Sequence, residues 1–399
     1  MKLFQKLLLA PVTLGFFSPV VANASEANLM DVSNYSQVDV EVSQDTFKPL
    51  SSKNPLLAGG EGLGQSNTDA DFDGDTFSST TSATFFSNFL FGNTNGTANE
   101  KSKFIYDYGI NLNTSFTGND SLDVEMVAGI ENGSLLPEAD LENTTSQLKI
   151  DSISYTTTLG ERLTLLVGNG TKGSALYAQS CAYGGVSNTM DDCGVASTNL
   201  DVGLGSTFGA SFDLGSGFSL AVGVESEDDK DGLLTDSSTD AYGAQIAYTA
   251  DNYGIAVAFA SIENNTDGVL STGTNIAGVT TSTAFSAYFT PEIENLPSIS
   301  VGFESTHNDA AEKTSANDET SHYFVGVQWD EFGQGTLGAS FGSKEATVEN
   351  ADAEMMYEVF YSYDYADGIT ITPAIYVKEN SAANTDDETG LLLKTSFSF

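Results

Sequence analysis

The sequence predicts an all-β chain that closes into a transmembrane antiparallel β-barrel of sixteen strands, with short periplasmic turns and long extracellular loops. Three observations predict it. Apolar and polar residues alternate with a period of two in about sixteen runs. The connections alternate between tight and long, and an aromatic residue, Phe399, ends the last run.

Residues 1–24 read as a secretory signal: Lys2 and Lys6 supply the charged start, Leu7 to Phe17 the apolar centre, and Ala22-Asn23-Ala24 the small-residue cleavage site. Residues 25–75 are rich in Ser, Asn, Asp and Gly and hold no sustained period, as expected of a short acidic periplasmic extension. The barrel is expected over 76–399. Its clearest strand alternates Phe104, Tyr106, Tyr108, Ile110, Leu112, Thr114 and Phe116 with Ile105, Asp107, Gly109, Asn111, Asn113, Ser115 and Thr117. Such a run is long enough to cross a bilayer as a tilted strand. Runs of this kind begin near residues 78, 102, 122, 147, 163, 203, 218, 240, 253, 281, 299, 321, 335, 354, 369 and 389.

Tight turns are expected at 117–120, 159–162, 215–217, 251–252 and 366–368, where Gly, Asn and Asp gather. Long polar loops are expected at 92–101, 131–146, 171–200, 226–239, 262–280, 306–320, 343–353 and 379–388. An even strand count with turns at one end and long loops at the other suits an outer-membrane barrel. A secreted all-β protein has no reason for that regularity. The aromatic terminus is a usual mark of barrels inserted by the outer-membrane assembly machinery.

Composition narrows the function. The chain has 399 residues, with 14 Lys plus Arg against 55 Asp plus Glu and a formal charge of −41. Removal of the leader would leave 12 basic residues against the same 55 acidic ones, a charge of −43. Nucleic-acid binding is excluded on that balance. Apolar residues make up 40% and aromatics 11%, enough to bury, so the chain is not a disordered acidic tail.

The inward positions of the alternation carry Asp107, Asn111, Asn113, Asp123, Glu125, Asp151, Gln245, Gln328 and Glu358, with Lys149, Lys378 and Lys394 as the cationic minority. These are the expected pore-lining groups. Arg162 is the only arginine, so an arginine ladder cannot be built. Cys181 and Cys193 stand in an oxidising compartment and are expected to pair within the third long loop, with Asp191 and Asp192 at a constriction or, equally, on a stapled surface loop. A diffuse negative charge at the mouth is expected from the cluster Glu225, Glu227, Asp228, Asp229 and Asp231.

Asp69, Asp71, Asp73 and Gly74 open like a calcium loop, but position twelve is Thr80 rather than Glu, so they read as an acidic linker and only a weak metal candidate. Two histidines, His307 and His322, supply no convincing catalytic or zinc set, and no cofactor or enzymatic activity is expected.

The run Asn111-Leu112-Asn113-Thr114-Ser115-Phe116-Thr117-Gly118-Asn119-Asp120 resembles a signature of cyanobacterial outer-membrane porins related to the carbohydrate-selective (OprB-like) porins. Asp31-Val32-Ser33-Asn34-Tyr35-Ser36, Gly59-Gly60-Glu61-Gly62-Leu63 and Phe77-Ser78-Ser79-Thr80-Thr81 are similar to that family as well. The resemblance implies an outer-membrane barrel, passive solute diffusion and, by analogy, a homo-trimer. Family members carry an S-layer homology domain and a coiled coil ahead of the barrel. About fifty residues are too few for both, so peptidoglycan binding is not carried over.

The expected function is a water-filled, cation-preferring channel for small hydrophilic solutes and ions, in contact with outer-membrane lipid and lipopolysaccharide. The alternatives are a channel specific for carbohydrates or inorganic iron, and a surface structural or adhesive β-protein without channel activity.

Overall fold

The computed structural model describes residues 80–399 apart from 96–101, 131–135, 137, 140, 143, 204, 228–231, 236–238, 265–277, 294, 310–317, 345–346, 349–351 and 381–385. The leader, the 25–75 extension, the Asp69, Asp71 and Asp73 candidate and the loop charges Asp228, Asp229 and Asp231 lie outside the described residues.

The strands follow the alternation in chain order: β1 (Thr81–Asn95), β2 (Ser102–Thr114), β3 (Asp120–Ile130), β4 (Lys149–Leu159), β5 (Leu163–Asn169), β6 (Ser206–Gly215), β7 (Phe218–Ser226) and β8 (Asp240–Thr249) form the first half. The second half is β9 (Tyr253–Asn264), β10 (Gly278–Phe289), β11 (Ser298–Asn308), β12 (Glu319–Phe332), β13 (Gly335–Ser343), β14 (Thr347–Val348), β15 (Met355–Ala366), β16 (Ile369–Lys378) and β17 (Glu388–Ser398). Each wall strand pairs antiparallel with its neighbours, and β1 pairs with both β2 and β17, so the sheet has no free edge. The two-residue β14 is an accessory on β12, while β13 pairs directly with β15. The wall is therefore a closed barrel of sixteen strands, as the sequence predicts.

The seam is held by the last residue. Phe85 donates its N–H to the Phe399 carbonyl at 2.8 Å, and Phe399 returns its own to Phe85 at 3.0 Å. The two rings stack with centroids 5.6 Å apart.

The period of two separates the faces of each strand. On β2, Phe104 is 60% exposed on the outer surface and the next residue, Ile105, is 1% exposed inside. Phe208, Ile255, Phe303 and Leu391 continue the exposed apolar exterior around the wall. An apolar outer surface of this extent is what a barrel presents to hydrocarbon.

One strand departs from strict alternation. Ile150 and Ile153 on β4 both face outward although their spacing is odd. The register shifts where β4 meets Glu125 and Met126, a bulge that puts one extra residue, Asp151, on the inner side next to Ser152.

The turns join the strands at one end. Gly215, Ser216 and Gly217 take φ values of 86°, 56° and 86° to turn β6 into β7, a conformation that two glycines make accessible. Between β2 and β3, the Asp120 Oδ1 accepts the backbone N–H groups of Phe116 at 3.0 Å and Thr117 at 2.8 Å, and Tyr155 donates to its Oδ2 at 2.8 Å. The aspartate that closes the signature run is thus the clasp of its turn. The connection from β10 to β11, residues 290–297, is longer than the others at this end. Pro291 and Pro297 bracket it and cannot donate to a ladder, which stops both strands short.

Candidate functional site

The connections at the opposite end include two whose described residues fold inward, one between β3 and β4 and one between β5 and β6. The second is the third long loop, and it contains a short helix, α1 (Asn188–Asp191), and a 3-10 turn (Ala196–Asn199). Cys181 and Cys193 are disulfide-bonded, with Cα atoms 6.4 Å apart and a separation of 12 residues. The ring is reinforced from outside by the barrel wall.

The loop meets the wall through its own backbone donors. Such N–H groups, taken out of a strand or helix and away from water, need acceptors. Inward side chains from six points on the wall supply them. On β7, Glu225 accepts from Gly173 and Val202. On β8, the Gln245 Oε1 accepts from Ala178 at 2.7 Å. On β11, the Ser300 hydroxyl accepts from Ala182 at 2.8 Å, and Glu304 accepts from Ser197 at 3.1 Å and Thr198 at 2.9 Å. On β12, Gln328 accepts from Gly184 at 2.9 Å.

The most heavily used acceptor is Glu358 on β15, which is 1% exposed. It receives the Tyr183 hydroxyl at 2.7 Å and the backbone N–H groups of Val186 at 3.2 Å and Ser187 at 2.7 Å. Burial, with the Glu358 charge beside it, pushes the Tyr183 hydroxyl well above its ordinary range, so it remains a donor. The tip is tied to the other inward loop by Glu138, which accepts from the Thr189 N–H at 3.0 Å and pairs with Lys378 at 2.5 Å.

Glycine in the wall lets the loop lie against it. A Cβ at Gly223 would collide with the carbonyl of Gly173, and one at Gly302 with the carbonyl of Cys193. Around the ring an apolar cluster forms inside the barrel from Leu90, Ile105, Leu136, Tyr183, Met190, Phe324, Met356, Phe360, Tyr376 and Leu392. The third long loop thus spans the barrel interior from β7 to β15, held by hydrogen bonds at its ends and its middle and by apolar contact around Tyr183 and Met190.

The residues that the sequence marks as pore-lining divide into two groups. Asp107 and Glu358 face inward but are spent on structure. Asp107 accepts from the Asn88 N–H at 3.0 Å and its amide at 2.8 Å, and from the Glu142 N–H at 3.4 Å. Asn113 donates to Asp123 at 2.6 Å, on the same inner row as Asn111 and half-buried Glu125. Asp201, where the third long loop nears β6, pairs with Lys172 at 2.9 Å. Lys394 lines a hollow of about 390 Å³ with Gln328, Thr336 and Thr372, on the side of Gly184 and Gly185. Asp191 and Asp192 line a smaller cavity between the ring and the wall.

Glu225 corrects the expectation of a mouth charge. It is buried on β7, inward in phase with Ala221 and Gly223, and it holds both ends of the third long loop. Glu304 and Glu138 carry the same kind of task and were not singled out by the sequence. The phase of Ser300, Gly302 and Glu304 on β11 does place Glu304 inside, but alternation has no means of showing which donor it meets. Nor does it show that inward positions such as Phe324 and Met356 are apolar because a loop covers them.

The ring has a direct test. Replacing both cysteines by serine should leave the barrel assembled and loosen the loop by about 3 kcal/mol, the chain-entropy value for a ring of this size. Limited proteolysis should then cut between residues 181 and 193, and an uncut loop would assign its order to the wall acceptors alone.

No family model matches the sequence, and no curated protein matches it. In shape the chain is similar to Pseudomonas putida OprB in its high-pH structure, with a TM-score of 0.58 at 10% identity over 80% of this chain and 94% of that one. It is also similar to OmpT of Vibrio cholerae, an outer membrane protein, in a form lacking loop L8, with a TM-score of 0.53 at 10% identity over 80% of this chain and all of that one. A substituted Rh. blastica porin gives a TM-score of 0.50 at 16% identity with the same coverage of this chain. At these identities the likeness concerns the fold, a sixteen-stranded barrel shared with porins.

Proposed function

We propose that the chain is an outer-membrane porin, a water-filled and cation-preferring channel for passive diffusion of small hydrophilic solutes and ions. The observation that carries this reading is the barrel's division of faces around an inward loop. Its exterior is apolar, and its interior is wide enough to admit a whole loop docked on polar side chains. Eight strands would leave no such room.

The leader would direct export, Phe399 would present the last strand to the assembly machinery, and neighbouring copies would associate as trimers within lipid and lipopolysaccharide. Among solutes, the reading favours no specific carbohydrate or iron species over general diffusion, because the acceptors that face the loop are already occupied by it.

Cation preference is supported by charge supply. Arg162 lies in the turn after β4, while Asp123, Glu125, Asp151 and Asp201 lie toward the interior, opposed by Lys149, Lys172 and Lys394. Fixed carboxylates in a narrow passage raise the local cation concentration. In planar bilayers across a potassium chloride gradient, the reversal potential should take the cation sign, and E125Q/D151N should reduce it. At about 0.1 M salt the Debye length is about 10 Å, and at 1 M it is about 3 Å, so selectivity from the interior should persist where that from a wide mouth fades. An anion-selective potential at both concentrations would overturn the selectivity. Absence of any conductance from a folded barrel would favour the structural, non-channel reading.

A further inference from the structure

The hollow beside Lys394 holds a positive charge that nothing among the described residues neutralises. It lies between Gly184 and Gly185 of the third long loop and the turn ends of β16 and β17, against the inner faces of the wall from β12 to β17. Its volume of about 390 Å³ falls within the roughly 300–1,000 Å³ of small-molecule sites. Lys394 is the only charged residue in its described lining.

The ladder explains why that charge is unmet. On β17, Lys394 stands between Leu90 of β1 and Thr372 of β16, and neither can pair with an ammonium as a carboxylate would. The side chain is half-buried, its ammonium makes no hydrogen bond or ion pair with the described residues, and it is not occluded. The inward carboxylates of β12 and β15 are used elsewhere. Asp330 accepts from Gln328 at 2.7 Å, Asp364 accepts from Thr370 at 3.0 Å, and Glu358 is taken by the loop.

The hydroxyls around the lysine have a direction. Thr372 donates to Ser362 at 3.1 Å, which leaves the Ser362 proton free to donate. Thr336 gives its proton to the Asp330 carbonyl at 3.3 Å, Thr370 gives its own to Asp364, and Ser396 to the Asn88 side-chain oxygen at 2.7 Å. Toward the hollow these three offer lone pairs only.

That set selects a ligand. A metal ion would meet a positive charge and no carboxylate. Phosphate carries more negative charge than one lysine balances, and a neutral polyol would leave the ammonium unmet. A carboxylate supplies one negative charge and accepts from both Lys394 and Ser362. Hydroxyls on its carbon chain supply the donors that Thr336, Thr370 and Ser396 lack.

We infer that this hollow binds a small hydroxycarboxylate monoanion, its carboxylate on the Lys394 ammonium and the Ser362 hydroxyl and its own hydroxyls on the oxygens of the wall. One such site gives a solute a stopping point behind the loop and leaves the sign of the current to the carboxylates of the interior.

The test reads binding and no conductance, so it fails or succeeds apart from the channel reading. The full chain in detergent is dialysed to equilibrium against labelled D-glycerate. The competitors are glycerol, which has hydroxyls but no charge, propionate, which has the carboxylate but no hydroxyl, and inorganic phosphate. The expected result is saturable one-to-one binding of glycerate that unlabelled glycerate displaces better than any of the three. K394M should weaken it by about tenfold or more, because hydrogen bonds to a charged group are lost. K394R should retain most of it, and S362A should weaken it less than K394M does. K103M, which removes an equal charge at the loop end of β2, should leave it unchanged. Heat-modifiable mobility confirms that each variant retains its barrel. Lack of saturable glycerate binding to the unsubstituted protein would overturn the inference. So would equal binding by K394M, or displacement by glycerol, propionate or phosphate as effective as that by glycerate.

Discussion

Deletion of Phe399 should give a chain that makes strands but does not close. The residue supplies two backbone hydrogen bonds to Phe85 and a stacked ring at 5.6 Å, all at the point where the first and last strands meet. Hydrogen bonds contribute about 0.5–1.5 kcal/mol each, and an aromatic pair adds about 0.5–1.5 kcal/mol, so the loss is about 1.5–4.5 kcal/mol. The remaining register from Phe86 with Ser398 to Asn95 with Thr389 would still favour pairing in a finished barrel. The consequence falls on assembly, because a barrel open at its seam exposes unpaired N–H and C=O groups of both strands to hydrocarbon.

Electrophoresis before and after heating should therefore show loss of the compact, heat-modifiable form. Phe399→Ala, which keeps both backbone bonds and removes the stack, should fall between deletion and the unsubstituted chain, and Phe399→Tyr should assemble. A deletion variant with normal heat modifiability and protease resistance would show that the seam closes on its ladder alone.

The wall was legible in the sequence because each strand is buried, in the physical sense, on a different side of one repeated rule. Outward positions meet an apolar medium and inward positions do not, so Phe104 and Ile105 can be assigned by parity. The rule loses phase after Asp151, where the inserted residue brings Ser152 inward as well, and no local composition announces a bulge. It also says only that a side chain points inward. Ile105 and Phe324 are inward and apolar because loops arrive from distant sequence to cover them, and Glu225, Glu304 and Glu358 are buried acids because those loops bring unpaired N–H groups. Their partners lie 23 to 175 residues away. Such meetings depend on closure of the whole barrel, which no window of sequence contains. The ring was readable for the opposite reason, since Cys181 and Cys193 are the only two cysteines in the chain.

Removing both Glu304 and Glu358 should release the inner loop and enlarge the current through the channel. In E304A/E358A the N–H groups of Ser187 and Thr198 lose carboxylate acceptors in buried surroundings, and those of Val186 and Ser197 lose them in partly buried ones. A buried donor left without a partner costs about 1–3 kcal/mol. The two buried backbone donors together give about 2–6 kcal/mol, the Tyr183 hydroxyl loses its Glu358 acceptor as well, and even the lower figure shifts the docked-to-undocked ratio about thirtyfold. Water reaching the freed donors gives the undocked loop an advantage that the docked one lacks. The Glu225 clasp at the loop's ends remains in this variant, so the movement is confined to the middle of the loop, which lies across the interior. Single-channel conductance should rise and become noisy, and protease should gain access near α1, while heat-modifiable mobility stays normal. D364N is the control, because Asp364 accepts from the Thr370 hydroxyl at the turn end of β15, the end away from the loop. Unchanged conductance and an uncut loop in E304A/E358A would mean that the disulfide ring and the apolar cluster around Tyr183, Met190 and Phe324 hold the loop without the acids.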